Sequence, residues 1–133
     1  MPGASEARMT DTSKEHYLRG LALFGEQKHV EAIEEYRKAL ELEPDDADVL
    51  LALATAQMNA GLLDDAVTSG KRVVELDGDD PFGHTSLSMI YMRKGMIEEA
   101  EKEQATARML SWKRELAQNP DAPPPSGAID VVQ

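Results

Sequence analysis

Three histidines, a run of aspartates and a scatter of serines are the side chains in this 133-residue sequence that invite a chemical site. A zinc site of the metalloprotease type needs two histidines one helical turn apart with a glutamate between them. His16, His29 and His84 never fall in that spacing. Asp77-Gly78-Asp79-Asp80 invites a calcium-loop reading, but such a loop requires glycine at its sixth place and glutamate at its twelfth. Those places hold Phe82 and Ser88. The glycines do not approach the spacing of a phosphate-binding or dinucleotide-binding loop. Ser69, Ser86 and Ser88 have no base partner implied by the pattern. With no cysteine, a thiol nucleophile, a disulfide framework and a cysteine-ligated metal are excluded. The sequence therefore predicts no catalytic residue, no metal site and no cofactor, and it assigns the aspartate cluster to helix capping.

Charge narrows the partners further. The net charge is −11 and the isoelectric point lies near 4.6. A field of that sign repels nucleic-acid backbones and anionic membrane surfaces. The apolar runs are far shorter than a bilayer span, and the first fifteen residues lack the apolar stretch of a signal peptide. A soluble, cytoplasmic protein is the expectation.

The elements that position these side chains repeat. Sliding the chain by 34 residues superposes Glu31-Ala32, Asp65-Ala66 and Glu99-Ala100, then Ala39, Val73 and Ala107, then Leu42, Leu76 and Leu110. The same shift brings Gly61 onto Gly95 and Leu53 onto Leu87. Three units follow, 13–46, 47–80 and 81–117, each with two helical patterns around a short break. Gly61 and Gly95 sit at the breaks, where a helix end favours a residue tolerant of positive φ; the first unit has Gln27 there, a less favourable ending. Pro44-Asp45-Asp46 and Asp77-Gly78-Asp79-Asp80-Pro81 close the first two units and offer carboxylates to the next helix. Residues 1–12 are small and polar, so a disordered lead is expected. Residues 118–133 read as a proline-rich flexible tail ending in an apolar patch, Ala128-Ile129-Asp130-Val131-Val132.

The register and its residues resemble the tetratricopeptide repeat (TPR) family. Unit one carries the family's pattern as Gly20, Ala32, Tyr36, Ala39 and Pro44. Unit two keeps Ala54 and Ala66 but has Gly70 for the aromatic, Val73 for the second alanine and Gly78 for the proline. Unit three has Ser88, Tyr91, Ala100 and Ala107, with Gln104 for the aromatic and Trp112 for the proline. His16, Leu50 and His84 replace the consensus tryptophan. The resemblance implies an all-α fold: three helix-turn-helix units in a short right-handed solenoid, with the last helix extended to about Ala117. It also implies a non-catalytic adaptor or scaffold whose first helices line a concave groove.

An i, i+4, i+7 stripe on each first helix places that groove at Tyr17, Leu21 and Phe24, then Leu51, Thr55 and Met58, then Thr85, Met89 and Met92, with Phe82 one turn earlier. Cochaperones of the family hold a chaperone's terminal carboxylate with basic and amide side chains. Here the matching positions are Tyr17, Leu21, Ala52, Phe82 and Ser86, none of which supplies a charge-assisted donor. The expected occupant is therefore an apolar or amphipathic segment of another protein, with a basic rim to suit the acidic surroundings. The other reading of these methionines and aromatics is that they fill gaps between neighbouring first helices.

A second surface lies on the last helix, where Ala105, Met109, Trp112 and Leu116 form a stripe with no capping helix after it. Burying Trp112 contributes about 2–3 kcal/mol. It either folds back onto the body or forms an interface, so a self-associating module, a homodimer in the simplest case, is the alternative function. The patch at 128–132 offers a third variation, in which the tail occupies the chain's own groove.

Overall fold

The paired helical patterns become six helices in the computed structural model, which describes residues 2–125, with side chains from Thr12 onward. They are α1 (Pro2–Gly25), α2 (His29–Leu42), α3 (Ala47–Asn59), α4 (Leu63–Leu76), α5 (Pro81–Lys94) and α6 (Ile97–Gln118). No strand occurs among the described residues. Each helix packs on the next in sequence, α1 touches α3, and α3 touches α5. The second helices α2, α4 and α6 do not touch one another. First helices thus crowd together while second helices splay, which curves the array with α1, α3 and α5 on its inner side.

Local chemistry sets the boundaries. Asp46 caps α3 by accepting from the Asp48 and Val49 amides at 3.1 and 3.3 Å, and Asp80 caps α5 by accepting from the Phe82 amide at 3.0 Å, with Pro81 in the first turn. Gln27, Gly61 and Gly95 all adopt positive φ (67°, 82° and 80°). After each, the next amide donates back across the turn: Lys28 to Leu23, Leu62 to Gln57 and Met96 to Tyr91, each at 2.9 Å. The register is strong enough to hold Gln27 in a conformation that costs a side-chain-bearing residue about 1–2 kcal/mol. α1 starts at Pro2, well ahead of Ser13, where the lack of an apolar period suggested an unstructured lead. Ala4, Glu6, Ala7, Arg8 and Met9 are good helix formers, and intrinsic propensity extends a helix already fixed by packing.

Within unit one, Gly20 allows α2 to approach. A Cβ on Gly20 would lie 2.4 and 2.6 Å from the Tyr36 ring, and that ring is fully buried against Ala32, Val49 and Leu53. Tyr17 tilts against the same ring at 6.1 Å. The two histidines standing for tryptophan bridge first and second helices instead of filling volume. His16 Nδ1 pairs with Glu35 Oε2 and His84 Nδ1 with Glu103 Oε2, both at 2.6 Å, and both spacings are 19 residues. His84 Nε2 also meets the Gly78 carbonyl at 2.8 Å. The His16 hydrogen bond is the main cause that holds the Glu35 carboxyl below its usual range. Burial pushes the His84 imidazole down, but the bonds to Glu103 and Gly78 outweigh it, so its pKa is raised.

Two outcomes follow. Gly20→Ala drives a methyl into a buried ring, so stability falls by about 1–3 kcal/mol even though alanine adds helix propensity; an unchanged urea midpoint would show that the ring moves aside. Because His84 titrates higher folded than unfolded, its pairing stabilises the fold fully below the unfolded value near 6.5 and ceases to do so as pH rises through the folded value. The stability gap between wild type and Glu103→Gln, read by urea unfolding, shrinks on raising pH from 6 to 9 in roughly that window; a gap independent of pH would refute the assignment.

Candidate functional site

The first-helix stripe divides between packing and surface. Tyr17 and Phe24 are half-buried against the core that α2 and α3 share, with Phe24 also edge-on to His29 at 5.1 Å. Burial raises the Tyr17 hydroxyl, and Asp48 and Asp46 raise it further, which keeps it neutral. Leu51 and Thr55 are partly covered, the Thr55 hydroxyl donating to the Leu51 carbonyl. Met58 is only 6% exposed because Ile90 of α5 packs on it together with Ala54 and Ala66, so it fills a gap between repeats. Leu21, Phe82, Thr85, Met89 and Met92 remain exposed.

Of these, the fold brings Thr85, Met89 and Met92 together with α6. They form one wall of an open groove of about 680 Å³ whose other wall includes Gln104, Ala107 and Trp112. Arg93, Arg108 and Glu115 are its charged residues, so the local balance is positive in an acidic protein. This places a cationic rim where the overall charge had suggested an acidic one.

Among the residues proposed for an oligomer interface, only Trp112 lines this groove; Met109 is exposed, and Ala105 and Leu116 are partly covered. Trp112 is covered by the chain itself. α6 ends at Gln118, two turns longer than α4, and Asn119 starts a turn in which its side chain accepts from the Asp121 amide at 3.2 Å. The turn sends the chain back across Trp112, whose Nε1 donates to the Ala122 carbonyl at 3.1 Å, and Ala122 is buried there. Pro123 and Pro125 close that end of the groove. Residues 119–125 thus form a strap, where the prolines had suggested a free spacer. The apolar patch at 128–132 lies outside the described residues.

Glu35 and Glu103 were legible only in hindsight of register: they stand 19 residues after histidines that are themselves two repeats apart. Among the described residues no group of three or more histidines, aspartates or glutamates is placed to hold a metal ion, and no helix is long and apolar enough to cross a membrane.

A tetratricopeptide repeat family model matches residues 23–88. No curated protein matches the chain in sequence. Solved structures do match in fold. The second TPR of Spaghetti (RPAP3), bound to the HSP90 peptide SRMEEVD, superposes with a TM-score of 0.73 at 20% identity, covering 80% of this chain and 98% of that one. MamA from MSR-1 gives 0.72 at 27% identity, covering 84% of this chain; the chain spans 64% of MamA's length. The translocator chaperone SycD of Yersinia enterocolitica, in an alternative dimer, gives 0.72 at 22% identity with 84% and 80% covered. With six helices in three pairs among the described residues, a 34-residue register and these likenesses, the chain belongs to the tetratricopeptide repeat family, as a three-repeat helical solenoid.

Proposed function

We propose that the protein is a non-catalytic adaptor that holds an apolar or amphipathic segment of another protein against its first-helix face. The observation that carries this reading is the set of large apolar side chains left in water on α1 and α5: Leu21, Phe82, Met89 and Met92, with Phe82 68% exposed. Isolated exposed apolar residues are ordinary, but Phe82, Met89 and Met92 share one helix, and Leu21 stands on the same inner side of the solenoid. Methionine suits such a surface because its unbranched thioether repacks around different ligands. Asp46 and Asp48 lie close enough to raise the Tyr17 hydroxyl, so a basic flank on the bound segment is favoured at the repeat-one end.

A carboxylate-terminated chaperone tail is not the proposed ligand, although the RPAP3 domain is described with an HSP90 peptide. Tyr17, Leu21, Ala52, Phe82 and Ser86 stand at the positions that would hold it, and none carries a cation. Stripping water from a carboxylate there would go uncompensated.

Helical peptides selected from a display library on the full chain test this reading. Leu21→Glu combined with Phe82→Glu places two charges on residues that support no core, so circular dichroism stays unchanged while affinity for the selected peptides falls by about tenfold or more. Peptides that bind the double variant as well as wild type would overturn it.

A further inference from the structure

The groove between α5 and α6 is a vacant copy of a site that the protein fills elsewhere. Three residues of α5 meet unit two at close range. Gly83 lets it approach Val73 and Val74, where a Cβ would come within 3.1 and 3.3 Å. Leu87 and Ile90 fill the space above Gly70, and Ile90 packs with Ala54 and Met58. Advancing those five receiving residues by 34 gives Ser88, Met92, Gln104, Ala107 and Arg108. All five line the groove. Met58 and Met92 are equivalent, yet the first is 6% exposed and the second 53%: α5 covers Met58, and no described helix covers Met92.

We infer that this groove receives an α-helix of a partner protein, docked as α5 is docked on unit two, with a small residue, then large aliphatic residues four and seven positions on, and acidic residues on its flanks. The aliphatic pattern is that of Gly83, Leu87 and Ile90. The acidic flank follows from Arg93 and Arg108, which face the groove and have no acidic partner among the described residues, while Glu115 is the sole acid of the lining. The inference goes beyond the adaptor reading: it keeps a segment of another protein as the ligand but seats it in this groove, which shares Met89 and Met92 with the first-helix face and excludes Leu21 and Phe82.

A second copy stacked head to tail would present α1. The α1 residues equivalent to Gly83, Leu87 and Ile90 are Glu15, Arg19 and Ala22, and Arg19 and Glu15 are already paired at 3.4 Å. That helix carries nothing to insert, so the register that makes the groove a docking site also disfavours its use for filament growth. The strap at 119–125 covers Trp112 and one end, leaving the Met92–Ala107 stretch open.

Trp112 is the sole tryptophan, so its emission reports on the site. The probe is a stapled helical peptide of the α5 sequence Pro81–Lys94 carrying His84→Glu and Ser86→Glu, which put one acid on each side of the inserting face. Titrated into the full chain, it should change the emission saturably. Gln104→Tyr, which restores the side chain that occupies this position in unit one, should weaken binding about tenfold or more. Arg108→Glu should weaken it about fivefold while leaving the unmodified α5 peptide nearly unaffected. Both residues are exposed, and circular dichroism checks the fold of each variant. No saturable change up to millimolar peptide overturns the inference, as does undiminished binding to Gln104→Tyr. Loss of binding in Leu21→Glu but not in Gln104→Tyr would place the segment on the first-helix face, sinking this inference and sustaining the broader reading. Peptide-free protein whose mass rises with concentration, and falls back with Gln104→Tyr, would assign the groove to a second copy and overturn it too.

Discussion

The structure depends on one seam, repeated: the first helix of units two and three lies in the cleft between the two helices of the preceding unit. Each first helix also packs on its own second helix, but only this seam joins one unit to the next, because α2, α4 and α6 stay apart. α3 settles on unit one around the buried Tyr36 ring, and α5 settles on unit two around Gly70. The two seams use opposite solutions. In unit one the preceding second helix supplies the bulk, and Gly20 yields space to it; in unit two the second helix supplies a hole, and Leu87 and Ile90 supply the bulk. The source of bulk thus moves across the interface between the two seams, a compensation that a close-packed core requires.

This exchange explains which parts of the fold the residues disclosed. The 34-residue register, the positive-φ breaks at Gly61 and Gly95 and the caps at Asp46 and Asp80 are local, and each rests on a residue type with one dominant use. Even Gln27 was readable as a strained ending from register alone. The long last helix was also visible, since no breaker stands between Trp112 and Pro120. What escaped was cooperative. Whether a methionine in the stripe is core or surface depends on whether another helix follows, not on its own neighbours in sequence, so Met58 and Met92 look alike in the chain and differ in space. The partners of His16 and His84 lie on another helix, and the strap over Trp112 depends on a turn made by Asn119 just before residues whose prolines suggested only a spacer.

Net charge is a poor guide to the surface for a related reason. Many of the acids are committed to architecture: Asp46 and Asp80 to helix starts, Glu35 and Glu103 to histidines, Asp64 to Lys94, and Asp45 to Arg72. Removing these from consideration leaves a field that is not uniform. Asp46 and Asp48 act on Tyr17 at the repeat-one end, whereas Arg93 and Arg108 flank the groove at the repeat-three end. A long-range potential repels polyanions at a distance, but desolvated contact is decided by the side chains within a few ångströms.

The composition of the terminal unit points the same way. No described helix covers the outer face of unit three, and solenoids ordinarily meet water there with a polar surface. Here the change is half made: Ala54, Gly70 and Val74 become Ser88, Gln104 and Arg108, while Met58 and Val73 remain apolar as Met92 and Ala107. A fully polar end would need no cover, and a fully apolar one would demand permanent cover. The mixture gives a surface polar enough to stand open yet apolar enough to gain from burial, with each half-exposed methionine able to contribute roughly 1 kcal/mol when covered. That is the balance expected of a reversible docking site, and it is reached by changing three residues of a seam that the protein already uses to hold itself together.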